Sequence, residues 1–63
     1  MKIGTLLLPN SYQIANGKSI SGVIIDVADD LWGLSYKVLL SNGIQHWLDD
    51  DRIRGLFEVV EKQ

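Results

Sequence analysis

Tyr36-Lys37-Val38-Leu39-Leu40-Ser41-Asn42-Gly43-Ile44-Gln45-His46-Trp47-Leu48 is the stretch that decides the fold. Side chains in a strand alternate between faces, so Tyr36, Val38 and Leu40 share one face, and Ile44, His46 and Leu48 share one face of the following run. Lys37, Leu39, Gln45 and Trp47 fall on the opposite faces. Asn42-Gly43 between the two runs is the residue pair of a type I′ turn, whose twist matches that of adjacent antiparallel strands. A β-hairpin is therefore expected here.

Outward from this hairpin, further runs rich in branched and aromatic residues complete a set of five: Ile3 to Leu8, Ser19 to Val27, Leu34 to Leu40, Ile44 to Leu48, and Leu56 to Val60. Pro9 to Lys18 carries Asn10, Ser11, Asn16 and Gly17 and reads as a long folded-back loop. Asp29, Asp30 and Gly33 bracket Leu31 and Trp32, which places two large apolar side chains in a turn. Asp49-Asp50-Asp51-Arg52-Ile53-Arg54 is too short for a stable helix and suits one helical turn capped by Asp49 or Asp50, with Gly55 reversing the chain afterwards. Glu61-Lys62-Gln63 reads as a frayed tail.

The chain has 63 residues, so 1–63 is expected to be one domain with a small core and marginal stability. Leu, Ile, Val and Phe supply 22 positions, enough apolar material for that core and too much for a disordered chain. With no cysteine, neither a disulfide nor a cysteine-ligated zinc can reinforce it, which leaves self-association as the remaining route. The same absence is compatible with a reducing compartment, and a soluble, cytoplasmic protein is expected. Pro9 ends the apolar run Leu6-Leu7-Leu8 far short of a signal peptide or a membrane span.

The order of long loop, Gly22-Val23-Ile24, short loop, Tyr36 to Leu40, Asn42-Gly43, Trp47 and Asp51-Arg52-Ile53 resembles the Src-homology-3-like superfold, Tudor and KOW-type modules above all. The resemblance implies an all-β, five-stranded barrel with one 3₁₀ turn before the last strand, closed so that no sheet edge stays exposed. Such a fold serves many functions, among them adaptor and phage-assembly roles, so a function has to come from a site. Gly43-Ile44-Gln45-His46-Trp47 is also similar to the pore-lining strand of the plasmid-borne type II dihydrofolate reductases. That likeness would imply a tetramer with Gln45, His46 and Trp47 lining a central pore; only Gln45 is identical to the family pattern.

Catalytic and metal signatures are weak. His46 is the one histidine, so no two-histidine site is available, and strand surface is its ordinary role. Asp49-Asp50-Asp51 lacks the alternating ligands and the glycine of a calcium loop, and capping accounts for it better. The scattered glycines form neither a dinucleotide fingerprint nor a phosphate loop, so no cofactor is expected.

The aromatic residues carry the functional expectation. Tyr36 is assigned to the core, Trp47 stands between core and surface, Tyr12 lies in the long first loop, and Trp32 in its turn is the leading interface anchor. Asp29 and Asp30 beside Trp32 would suit a basic or proline-containing segment docking in an aromatic groove. The expected function is a non-enzymatic interaction module that binds a protein segment or its own copies, in the manner of a small phage or mobile-element accessory protein. The alternative is a nucleic-acid module using Lys18, Lys37, Arg52 and Arg54, against which the formal charge of −2 counts. The tetrameric reductase is the third reading.

Overall fold

The computed structural model describes residues 1–17 and 19–60. Lys18 and the expected tail at 61–63 lie outside the described residues. Five antiparallel strands form one sheet: β1 (Leu6–Pro9), β2 (Gly22–Asp30), β3 (Gly33–Leu40), β4 (Gln45–Asp49) and β5 (Phe57–Val60). Two short helices, α1 (Ser11–Ala15) and α2 (Asp50–Leu56), interrupt them. The strand order is β4-β3-β2-β1-β5, and β4 and β5 are not paired with each other, so the sheet stays open where a closed barrel was expected.

Each strand places alternate residues on the inner face. Leu7, Ile24, Tyr36, Val38 and Phe57 are buried there and meet Ile53, which α2 lowers onto them. Burying a side chain of this size contributes about 1.5–3 kcal/mol. Tyr36, at 3% exposure, belongs to this core as its alternation predicted.

A β-bulge between Ile24 and Asp26 keeps that alternation viable. In an unbroken strand Asp26 would follow Ile24 onto the inner face, because residues two apart share a face. The extra residue, Ile25, shifts the register so that Val27 pairs with the buried Tyr36 while Asp26 pairs with Lys37 on the outer face. The Asp26 carboxylate accepts the Val27 N–H at 2.8 Å where the register shifts.

The β3–β4 connection departs from the expected type I′ turn. Gly43 N–H donates to the Leu40 carbonyl (2.9 Å), Gly43 has φ +87°, and no residue other than glycine has positive φ among the described residues. Type I′ would need positive φ at Asn42 as well, so the chain makes a three-residue loop instead, with Gly43 in the left-handed position. The Asn42 Oδ1 accepts the Ile44 N–H (3.0 Å) and stiffens it.

The segment after β4 is a seven-residue α-helix rather than the expected 3₁₀ turn, and Gly55 lies inside it. Asp49 is the N-cap, its Oδ1 accepting the Arg52 N–H at 2.7 Å. Asp50 and Asp51 in the first turn and Arg54 in the last complement the helix dipole, and Arg54 reaches back to Asp50 at 2.8 Å. The first loop also holds a helix that polar composition concealed: α1, capped by Asn10, buries none of its residues.

Candidate functional site

The β2–β3 hairpin runs on past the end of β4, whose last pairing is Asp49 with Ser35. Beyond that level only Asp29–Leu34 and Asp30–Gly33 remain paired, and Leu31-Trp32 forms the tip. Gly33 takes φ +107°, a conformation nearly closed to other residues, which lets so short a connection reverse the chain. The Asp30 Oδ1 accepts the Trp32 N–H at 2.8 Å, an Asx turn that holds the tip in one shape.

Leu31 is 98% exposed and Trp32 94% exposed, so both side chains stand in water with their apolar surface uncovered. Leu34, one residue beyond the tip, is half-exposed. Asp26, Asp29 and Asp30 are exposed along the same hairpin arm. An ordered tip with a leucine, an indole and adjacent carboxylates can enter an apolar pocket bordered by cations. Among the described residues no group of three or more His, Asp or Glu side chains could hold a metal ion.

The expected aromatic groove is not assembled. Trp32, Asp29 and Asp30 share the tip, as their sequence neighbourhood required. Trp47 is 49% exposed on the outer face of β4, where it pairs with Lys37 and takes the Lys37 Nζ at 5.9 Å from its ring centroid. Tyr12, 64% exposed on α1, lies toward the Gly22 end of the sheet, because α1 follows β1 where Leu7 pairs with Gly22. At about 3.3 Å per residue along β2, that end is about 25 Å from the Trp32 tip. Leu31, expected in the turn beside Trp32 but not among the binding residues, is the most exposed large apolar residue of those described.

A second apolar surface crosses the outer face of the sheet. Val60, Leu6, Val23 and Leu39 pair successively across β5, β1, β2 and β3 and so form one row. Each is at least half covered by its neighbours, which makes the row less exposed than the tip. The residues of the reductase likeness do not converge: His46 shares the inner face with Val38, whereas Gln45 and Trp47 are on the outer face.

No family model, no curated protein and no solved structure matches this chain. The geometry of its own residues therefore carries the functional argument. No helix among the described residues is long and apolar enough to cross a membrane.

Proposed function

We propose that this chain is a non-enzymatic interaction module of the Src-homology-3-like class, which engages a protein segment through the exposed Leu31 and Trp32 side chains. Five antiparallel strands, with one helical segment ahead of the last, support the class. The observation that carries the function is the near-complete exposure of two adjacent large apolar residues on a hydrogen-bonded tip. Monomer surfaces tolerate scattered apolar side chains, but a Leu-Trp pair held rigid in solvent gives up hydrophobic stabilisation that a partner restores.

Asp26, Asp29 and Asp30 set the chemistry of that partner: cationic groups beside the apolar contact, in a basic or proline-containing segment. Against the nucleic-acid alternative stands the formal charge of −2, with Arg54 held by Asp50.

The test is an array of basic and proline-containing peptides, read through Trp32 fluorescence in a Trp47→Phe background. Peptide binding that shifts Trp32 emission to shorter wavelength and vanishes in Leu31→Ala supports the reading. Binding with unchanged Trp32 emission, or binding that survives Trp32→Ala, would remove it.

A further inference from the structure

A recess of about 360 Å³ lies between β4, α2 and the first residue of β5, on the side where the sheet stays open. Its volume falls within the ~300–1,000 Å³ of pockets that enclose a small ligand, and admits an indole with a leucine side chain beside it. Leu40, Leu48, Leu56 and Phe57 give it an apolar lining. The three leucines pack against the core yet stay partly uncovered, because β4 and β5 do not pair over them. His46 and Arg52, both exposed, also line it.

The Arg52 guanidinium is uncommitted. Its backbone N–H serves the Asp49 cap and the neighbouring Asp50 is held by Arg54, while the guanidinium itself has no hydrogen-bond or ionic partner among the described residues. None of the residues lining the recess is acidic. Such a recess is complementary to apolar side chains flanked by carboxylates. The chain carries that counterpart at its other extremity, in the exposed Leu31 and Trp32 with exposed Asp29 and Asp30 beside them.

Tip and recess cannot meet within one chain. The β2–β3 ladder is paired without a shift from Val27–Tyr36 to Asp30–Gly33, so the hairpin does not double back. Leu40, in the recess, is seven residues along β3 from Gly33, about 23 Å.

We propose that the Leu31-Trp32 tip of one copy seats in this recess of a second copy, with Asp29 and Asp30 set against Arg52. The pairing rests on the tip being a binding surface, and it names a second copy of this chain as a partner. Two different patches meet, so the contact is heterologous and each joined copy still offers one tip and one recess.

Two seated side chains cover far less than the ~800 Å² per partner of a stable complex, so association is weak and follows concentration. Native mass is measured by size-exclusion chromatography with light scattering from about 10 µM to about 1 mM. The wild-type mass should rise above one chain. Trp32→Ala loses the tip, and Arg52→Glu sets a carboxylate against Asp29 and Asp30, so each alone stays at one chain. Circular dichroism matching wild type shows that both are folded. In an equimolar mixture the intact tip of Arg52→Glu meets the intact recess of Trp32→Ala, and the mass reaches two chains and no more. Arg52→Lys, which keeps the charge, associates as wild type does. A wild-type mass of one chain throughout overturns the inference, as does association of either variant alone, or a mixture that stays at one chain or passes two. Peptide binding separates this inference from the reading of the tip, because Arg52→Glu keeps the tip and binds the same peptides as wild type. A monomeric wild type that still binds them through Trp32 ends the self-association and leaves the proposed function standing.

Discussion

Asn10 and Gly55 join the two helices: the Asn10 Nδ2 donates to the Gly55 carbonyl at 2.8 Å, while its Oδ1 accepts the Gln13 N–H at 3.0 Å. One side chain thus caps the start of α1 and satisfies a carbonyl in the last turn of α2 that the helix itself leaves without a donor. Replacing Asn10 by Ala removes both bonds and should cost about 1–2 kcal/mol. Asn10→Asp keeps the cap, loses the donor and should cost about 0.5–1.5 kcal/mol. Urea denaturation midpoints of the two variants give the order directly.

Gly22 is held by space. A Cβ there would stand 2.8 Å from Val38 Cγ1 and 3.2 Å from the Leu39 carbonyl oxygen. Gly22→Ala should destabilise by about 1–3 kcal/mol, the usual effect of overpacking. In a Val38→Ala background the nearer obstruction is gone, so the same substitution should cost less. A double-mutant cycle by thermal unfolding measures that coupling.

Asp49 distinguishes capping from ion binding. Asp49→Ala should cost about 1 kcal/mol, whereas Asp49→Ser, which retains an acceptor for the Arg52 N–H, should stay within about 0.5 kcal/mol of wild type. A carboxylate acting as a metal ligand would not be replaced by serine, and added calcium would then raise the melting temperature of wild type alone.

Ile25, the unpaired residue of the bulge, is expected to tolerate both change of side chain and removal. Ile25→Val trims one methylene from a half-buried residue and should cost less than about 1.5 kcal/mol. Deleting Ile25 removes the extra residue and leaves Asp26 opposite Lys37 and Val27 opposite Tyr36 in an unbroken ladder, so both faces keep their side chains and the chain should still fold. Circular dichroism of the deletion variant should show the strand signal of wild type.

Trp32→Ala and Leu31→Ala should leave stability within about 0.5 kcal/mol of wild type, because neither side chain touches the core. Melting temperatures check this. They also make the tip variants valid probes of binding, since a loss of binding then comes from a chain that is still folded.

The five strands were legible because each run is rich in branched or aromatic residues, because Tyr36-Val38-Leu40 alternates, and because Gly33 and Gly43 mark the two hairpin turns. A capping aspartate was legible for the same local reason, and of the two candidates, Asp49 and Asp50, the structure selects Asp49. The bulge was not: Ile24-Ile25-Asp26-Val27 reads equally well as a plain strand, and only the burial of Tyr36 opposite Val27 decides where the extra residue goes. Helix α1 was hidden because it buries nothing, and hydrophobic period is the signal by which helices are found. Barrel closure depends on how far the two terminal strands approach each other in space, a property no run of residues states. At the candidate site, Trp32 with Asp29 and Asp30 was readable as one local cluster; the separation of Tyr12 and Trp47 from it follows from strand order and register.

The β2–β3 hairpin reaches past β4, and the buried core ends at Tyr36, four positions before the tip is reached from the inside. Residues 29–34 can therefore be exchanged as a cassette, provided the Asx turn and the left-handed glycine are kept. Descendants of such a chain can change what they bind without renegotiating how they fold, and an engineer can graft a new recognition loop at the same joint.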